Sequence, residues 1–191
     1  MIRFITVILF LVLFSIVSLP MYLVVNIIGH FNPEAKVRIS QNFVVGGFKN
    51  VLRLSSTRLE VTGLENVPAD TPVLYVANHR SYYDIAACYT LVKNNTGFIP
   101  KKEMERIPCI SRWMRYINCQ FLDRENVREG LKTILNCIEL IKKGTSIFLF
   151  PHHLANTLHR HNGLYSELYY YHLWWQPPQT LSHFQGLERQ H

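Results

Sequence analysis

The chain of 191 residues is long enough for one domain with a substantial core, and it carries 20 Lys and Arg against 13 Asp and Glu, a net charge of +7. Residues 1–151 hold 18 of these cations and 11 of the acids, so the basic surface belongs to that region. A basic surface suits phosphate-bearing partners such as phospholipid headgroups, whereas the sequence contains no motif typical of nucleic-acid-binding proteins. The four cysteines show neither a C-x-x-C pair nor metal-like spacing, which indicates reduced thiols.

The amino-terminal segment is apolar enough to enter a membrane. Residues 4–29 are 26 residues without a charged side chain, and as a helix they would be about 39 Å long, against about 30 Å for a bilayer core. A signal peptide would have a shorter apolar run and a small-residue cleavage site, so we predict a membrane anchor over residues 1–30. Pro20 is expected to kink or break the helix, which leaves both a full span and a monotopic hairpin open. The cations that follow predict that the rest of the chain faces the cytoplasm at the cell membrane.

Residues 31–58 are predicted to form a helical segment next to the membrane. Apolar residues are interrupted there by cations, which is typical of an amphipathic helix lying on a bilayer, but Gly46-Gly47 weakens a continuous helix. A helix packed against the rest of the domain is an equally good interpretation.

Residues 59–151 show the alternation of strands and helices that predicts an α/β fold, with a mixed sheet flanked by helices. Residues 59–64 alternate like a half-buried strand, while residues 72–77 and 146–150 have the composition of buried strands. A helix is predicted over residues 131–143, with Asn126 and Glu129 as a capping box and Gly144 at its C′ position. Its core-facing residues are predicted to be Leu131, Ile134, Leu135, Ile138 and Ile141.

His79 and Asp84 are candidates for an acid–base pair. His79 follows the predicted strand over residues 72–77, and Asp84 opens the next helical stretch. Because α/β folds collect their chemistry at the carboxyl ends of strands, His79 could act as a general base. A carboxylate that accepts a hydrogen bond from one imidazole nitrogen leaves the other nitrogen as the base. The alternative is a turn with a structural histidine and a helix-capping aspartate, and the His-x4-Asp spacing alone does not decide between them.

Four motifs follow one another in a set order: Asn78-His79 with Asp84, Phe98-Ile-Pro-Lys-Lys-Glu-Met104, Phe121-Leu-Asp-Arg124, and Ser146-Ile-Phe-Leu-Phe-Pro151. Together they resemble the glycerolipid acyltransferase family, specifically the 1-acylglycerol-3-phosphate (lysophosphatidate) acyltransferases. The resemblance implies transfer of a fatty acyl group from an acyl thioester to the free hydroxyl of 1-acylglycerol 3-phosphate, which gives phosphatidate. The donor would be acyl-coenzyme A or acyl-acyl-carrier protein, and neither a cofactor nor a metal ion is expected.

The resemblance also implies residue roles. His79 and Asp84 would be catalytic, and Arg124 would bind the phosphate of the membrane-lipid acceptor. Lys101 and Lys102 could assist as point charges, although a solvated basic pair is the commoner meaning of such a dipeptide. Supporting motif positions are Asn78, Phe121, Asp123, Phe150 and Pro151, and Asp123 is expected to be structural and to pair locally with a basic neighbour.

The sequence departs from the family pattern at two places. In the family, a Gly usually precedes the motif at Phe121 by three residues, where this chain has Asn118. The last motif usually continues Glu-Gly-Thr-Arg after Phe-Pro, where this chain has His152-His153-Leu154-Ala155. Residues 152–191 then carry seven of the nine histidines and no lysine, with no clear helix or strand period. We interpret the histidines as compositional bias, because no closed ligand set is visible.

One hypothesis for this tail is a change of reading frame near codon 151, which would leave the domain over residues 59–151 incomplete and the tail over residues 152–191 foreign to it. Two alternatives to the leading function follow. The chain could be an acyltransferase for another lysophospholipid or for glycerol 3-phosphate, or it could be a truncated, catalytically inactive membrane protein.

Overall fold

A computed structural model describes residues 1–77, 81–123 and 125–150, together with the backbone of residues 168–173 and 184–186. Its α-helices are α1 (Ile2–Phe31), α2 (Pro33–Leu54), α3 (Tyr82–Leu91), α4 (Pro108–Tyr116) and α5 (Val127–Lys142). Its strands are β1 (Leu74–Ala77), β2 (Thr96–Phe98), β3 (Ser146–Leu149), β4 (Leu168–Leu173) and β5 (Phe184–Gly186). Two short 3-10 helices lie at Leu64–Asn66 and Lys102–Arg106.

The strands form one mixed sheet in the order β2-β3-β1-β4-β5. β1 is parallel to both of its neighbours, β2 is parallel to β3, and β5 is antiparallel to β4. The α/β fold with a mixed sheet is therefore confirmed. β4 and β5 come from the region in which the sequence shows no clear strand period, so these two strands were not predicted.

Alternating side chains of β3 divide the core into two layers, because successive residues of a strand point to opposite faces. Phe148 and Phe150 belong to a large cluster with residues of α1 to α4, while Ile147 and Leu149 pack in a second cluster with residues of α5. The sheet is therefore flanked by α1 to α4 on one face and by α5 on the other.

α1 and α2 form an antiparallel hairpin. Asn32 joins the two helices, and its Oδ1 accepts the Ala35 N–H at 2.9 Å as the N-cap of α2. The Phe14 and Phe43 rings stack 4.7 Å apart, and the backbone at Gly47 lies directly against Phe14. Both helices are continuous through the positions expected to interrupt them: Pro20 lies inside α1, and α2 runs through Gly46-Gly47. α2 is thus a helix packed against the rest of the domain, which was one of the two interpretations of residues 31–58.

α1 is also part of the domain core on its inner side. The Trp113 indole N–H donates to Ser18 Oγ at 2.9 Å, and the Tyr22 hydroxyl donates to the carbonyl of Cys109 at 2.9 Å. Val25 is fully buried. Away from these contacts α1 exposes apolar side chains along its length, and it is long and apolar enough to cross a membrane.

Two further predictions need correction. Residues 59–64 contain an isolated bridge at Leu59 and lead into the Leu64–Asn66 turn. They do not form a strand, because Gly63 has a φ of 78° and turns the chain. In α5, Ile134 and Ile141 pack against the sheet as predicted, but Leu131 and Leu135 are 47% and 53% exposed. The buried residues of α5 are instead Gly130, Thr133 and Cys137, and the first two pack against the segment over residues 121–123.

Candidate active site

The first motif lies at the carboxyl end of the central strand. β1 ends at Ala77, and Asn78 and His79 follow it directly in the chain, although residues 78–80 lie outside the described part of the structure. α3 begins at Tyr82, with Ser81 as its N-cap, and Asp84 is in its first turn. The connection from Ala77 to Tyr82 therefore contains His79, and Asp84 follows in the first turn of α3.

Asp84 is almost completely buried, with 1% of its surface exposed. Its Oδ2 accepts the Ser81 N–H at 2.9 Å, while Ser81 Oγ accepts the Tyr83 N–H at 3.2 Å. These bonds form a capping box, which satisfies donors that a helix N-terminus otherwise leaves open. The capping interpretation of Asp84 is therefore confirmed, and its catalytic role stays a prediction. Ser81 was missed, although the Ser-x-x-Asp spacing is a recognisable capping signal.

The carboxyl ends of β1, β2 and β3 lie at the same edge of the sheet, because these strands are parallel. Phe150 follows β3 at this edge, and its ring stacks on that of Phe148 at 4.9 Å. Its predicted supporting role fits a buried position next to the site. The next motif residue, Pro151, lies outside the described residues.

The second and third motifs lie side by side. The Leu122 N–H donates to the carbonyl of Pro100 at 2.9 Å, and the Lys102 N–H donates to the carbonyl of Leu122 at 3.1 Å. These bonds join the segment after β2 to the segment that leads to Arg124. Arg124 itself is not among the described residues, but both of its neighbours are.

Asp123 orders the loop around position 124. Lys102 Nζ donates to its Oδ2 at 2.6 Å, and the N–H groups of Glu125 and Asn126 donate to its Oδ1 at 3.0 and 3.2 Å. The hydrogen bond from Lys102 lowers the pKa of Asp123, and the same bond raises the pKa of Lys102. Asp123 thus pairs with a cation, but its partner lies 21 residues away in the chain and is not the local basic neighbour that the sequence suggested.

Lys101 and Lys102 therefore both form ion pairs with acidic side chains. Lys101 Nζ lies 2.8 Å from Glu103, and both side chains are about half exposed. Phe121 supports the loop differently: its carbonyl accepts the Thr133 hydroxyl of α5 at 3.1 Å, and its ring lies below the Arg115 guanidinium. Lys101, Lys102, Phe121 and Asp123 thus form one structural unit at the edge of the sheet.

Asn118 explains one departure from the family pattern. Its φ is +62°, in the left-handed region that favours glycine, and Asn is the side chain that tolerates this region best after Gly. The backbone at this position is also tightly packed, because a Cβ added to Gly97 would lie 2.5 Å from the Asn118 carbonyl oxygen. The substitution therefore keeps the turn that a glycine would form.

Comparison with known proteins identifies the class. The family model named Acyltransferase matches residues 58–157, so the chain belongs to the acyltransferase family. A chloroplastic 1-acyl-sn-glycerol-3-phosphate acyltransferase of Arabidopsis thaliana is 33% identical over 141 residues, which are 71% of this chain and 39% of that protein. A probable 1-acyl-sn-glycerol-3-phosphate acyltransferase of Mycoplasma pneumoniae is 30% identical over 155 residues, or 74% of this chain and 58% of that protein.

The fold agrees with this assignment. The crystal structure of the 1-acyl-sn-glycerophosphate acyltransferase PlsC from Thermotoga maritima superposes with a TM-score of 0.59 at 24% identity, and covers 78% of this chain and 62% of that one. The matched parts span roughly two fifths to three fifths of the two sequence relatives. The family match ends at residue 157, close to the position where the motif pattern departs. Among the described residues, no group of three His, Cys, Asp or Glu side chains could hold a metal ion.

Proposed function

We propose that the chain is a membrane-associated acyltransferase that moves a fatty acyl group from an acyl thioester to the free hydroxyl of 1-acylglycerol 3-phosphate. The observation that carries the proposal is the buried Asp84 carboxylate at the start of α3, one short turn after His79 at the carboxyl end of the central strand. A buried carboxylate at a helix N-terminus is fixed in place and is therefore suited to orient an imidazole.

In this mechanism His79 takes the proton of the acceptor hydroxyl as its oxygen attacks the thioester carbonyl. The tetrahedral intermediate then expels the thiolate, which receives the proton from the imidazolium. Asp84 holds the imidazole tautomer and stabilises the imidazolium. No nucleophilic Ser or Cys is needed, because a thioester is already activated towards attack by an alcohol.

Arg124 would bind the acceptor phosphate through its planar guanidinium. Asp123 and Lys102 support this role indirectly, because their ion pair and the backbone bonds to Asp123 fix the loop on both sides of position 124. Lys102 is therefore proposed as a positioning residue, and its charge would be shared between Asp123 and the phosphate. The acyl donor would be acyl-coenzyme A or acyl-acyl-carrier protein.

The α1–α2 hairpin also suggests how the chain sits in a membrane. Beyond Pro33, the exposed residues of α2 are all polar, and they extend over its whole length: Glu34, Arg38, Asn42, Lys49, Asn50 and Arg53. If α1 crossed the bilayer, α2 would be carried across with it, and each charge near the centre would cost about 2.5–3.5 kcal/mol. We therefore propose that α1 lies along one leaflet, on the cytoplasmic side as the positive-inside rule favours.

The test is acyl transfer by the full chain with 1-acylglycerol 3-phosphate and both donors. Replacing His79 by Ala should lower the rate by about 10²–10⁴-fold, whereas replacing the exposed His30 at the end of α1 by Ala should leave it unchanged. A panel with other lysophospholipids and glycerol 3-phosphate separates the related acceptors.

The departure after Pro151 favours one competing candidate, a catalytically inactive relative. Transfer that is absent in the wild type and unaffected by His79→Ala would support that candidate and contradict the proposal. Sequencing the coding DNA around codon 151 would show at the same time whether Glu-Gly-Thr-Arg is restored in another frame.

A further inference from the structure

The junction of α1, α2 and α4 carries two cations that are held over tyrosine rings. The Arg112 guanidinium carbon lies 4.7 Å from the centre of the Tyr22 ring, and Lys36 Nζ lies 4.2 Å from the centre of the Tyr116 ring. The two rings are neighbours, with centres 6.0 Å apart. Lys36 also donates to Asn26 Oδ1 at 3.0 Å, and Asn26 Nδ2 donates to the Tyr116 hydroxyl at 2.8 Å. The Tyr22 ring thus holds Arg112, while the Tyr116 ring and the Asn26 amide hold Lys36.

Ion pairing distinguishes these two cations from four others in the described part of the chain. Four cations elsewhere pair with carboxylates, namely Lys101, Lys102, Arg115 and Lys142. Neither Arg112 nor Lys36 forms an ion pair with any residue that the structure describes. α1 and α2 together contain a single acid, Glu34, so this layer of the molecule keeps a large positive excess.

The residues of α1 that contact these cations are next in the chain to exposed apolar residues. Leu23 follows Tyr22 in the chain and Ile27 follows Asn26, and the side chains of Leu23 and Ile27 are exposed. Ile110 on α4, two residues before Arg112, is exposed as well. A helix whose apolar face enters a leaflet carries its bordering cations to the level of the lipid phosphates. A guanidinium that is held over a ring still has N–H groups for a phosphate.

We propose that Arg112 and Lys36, with the Asn26 amide and the Tyr116 hydroxyl, bind the phosphate group of an anionic phospholipid and make the chain prefer anionic bilayers. A zwitterionic headgroup would bring its own ammonium group next to two cations that no described carboxylate neutralises, so it fits less well. The proposal rests on the membrane association of α1 and is independent of acyl transfer.

Vesicle binding of the full chain without acyl donor tests the site. The double variant Arg112→Gln/Lys36→Gln should lose roughly fivefold in affinity per cation, or about 25-fold together, for vesicles that contain phosphatidylglycerol. Its affinity for phosphatidylcholine vesicles should stay unchanged. The matched control is Arg128→Gln/Lys132→Gln, which removes the same charges from exposed positions of α5 on the other face of the sheet. Equal losses in the two double variants, or an equal loss on both kinds of vesicle, would overturn the proposal.

If α1 binds all vesicles too tightly for their affinities to be compared, quenching of Trp113 fluorescence provides a second measurement. Trp113 lies 4.9 Å from the Tyr22 ring and 5.8 Å from the Tyr116 ring, so it reports on the site when Trp174 and Trp175 are replaced by Phe. In mixed vesicles, brominated phosphatidylglycerol should quench Trp113 more than brominated phosphatidylcholine, and Arg112→Gln/Lys36→Gln should abolish the difference.

Two further experiments distinguish failure of the lipid site from failure of the proposed acyl transfer. If coenzyme A abolishes the preferential quenching at constant ionic strength, the site belongs to a soluble phosphate and the lipid assignment is wrong. The His79→Ala variant should keep the lipid preference, because it affects only the proposed transfer reaction. A chain that transfers acyl groups but shows no lipid preference would contradict the lipid site alone.

Discussion

Asp84 accepts the Ser81 N–H through Oδ2, so the carboxylate proposed to orient His79 also caps α3. The two roles can be separated by substitution. Ser81→Ala removes the acceptor of the Tyr83 N–H and should lower the free energy of unfolding by about 1 kcal/mol. Because Asp84 remains in place, acyl transfer should fall by no more than a few fold. Asp84→Asn should lower the transfer rate by at least about 10²-fold, since an amide cannot stabilise the imidazolium.

Urea unfolding and initial rates, both measured in the same detergent, check this pair of variants. If Ser81→Ala slowed the reaction as much as Asp84→Asn, the carboxylate would act only through the structure of the helix start.

The cysteines give a second prediction at the residue scale. Burial raises the pKa of Cys119 and Cys137 to about 12, and burial, with a smaller effect of Asp84, raises that of Cys88 well above its ordinary value. Cys109 is only half-buried. At pH 8 a thiol reagent should therefore label Cys109 readily and the other three only after unfolding. Mass spectrometry of labelled peptides measures this, and rapid labelling of Cys119 in the native protein would contradict it.

The same shifts predict how stability depends on pH. In the unfolded chain these thiols ionise around their ordinary value of 9.0, whereas in the folded chain they stay protonated up to about pH 12. The unfolded state therefore binds fewer protons between these values, so the free energy of unfolding should fall as the pH rises above about 9. Denaturant midpoints measured at pH 8 and pH 10 test the sign.

The adjacent glycines Gly46 and Gly47 of α2 allow a matched test of how α2 packs on α1. A Cβ added to Gly46 meets nothing within 4 Å, whereas one added to Gly47 would lie 2.8 Å from the Phe14 ring of α1. Gly46→Ala should raise the free energy of unfolding by about 0.5–1 kcal/mol, because alanine is the better helix former. Gly47→Ala should lower it by about 1–3 kcal/mol through overpacking of the helix pair. Urea unfolding compares the two, and equal signs would show that α2 does not pack on α1 as described.

Local signals in the sequence predicted where a helix begins and ends better than which side of the helix is buried. Asn126 caps α5 and Gly144 ends it with a φ of +91°, as predicted, because both residues act through bonds and angles of the nearby backbone. The other bond of the predicted capping box was wrong. The Asn126 N–H was expected to donate to Glu129, but it donates to Asp123, a residue before the motif. Leu131 and Leu135 were assigned to the core because helical spacing shows that an apolar stripe exists without showing which of two neighbouring stripes faces the sheet.

At the scale of the whole molecule, the sequence predicted the membrane character of α1 but not its part in the core. Ser18 and Tyr22 are buried against α4, yet they lie in a segment whose other residues are nearly all apolar. A helix that is apolar all round has no periodic signal that separates a lipid-facing side from a protein-facing side. The grouping of the motifs was predictable because parallel strands end at one edge, whereas the ion pair of Lys102 with Asp123 depends on tertiary contacts between segments 21 residues apart.

The orientation of α1 is the prediction on which the membrane proposals depend. Ile5, Ile16 and Ile27 are 60%, 59% and 54% exposed. Their spacing of 11 residues places them on one face of the helix, about 16 Å apart along its axis. Spin labels on cysteines introduced singly at these positions, in a Cys109→Ser background, report their depths in a bilayer. Cys88, Cys119 and Cys137 should remain unlabelled because they are buried.

If α1 lies along one leaflet, the three labels should have nearly equal, shallow depths, since a helix parallel to the surface keeps one face at one level. A label at Lys49 on the polar face of α2 should sit outside the hydrocarbon and serves as the control. In a spanning helix, Ile16 would instead lie near the bilayer centre and the outer two near opposite surfaces. A depth difference of about 10 Å or more between Ile16 and the other two would therefore rule out the in-plane arrangement, and with it the placement of Arg112 and Lys36 at the lipid phosphates.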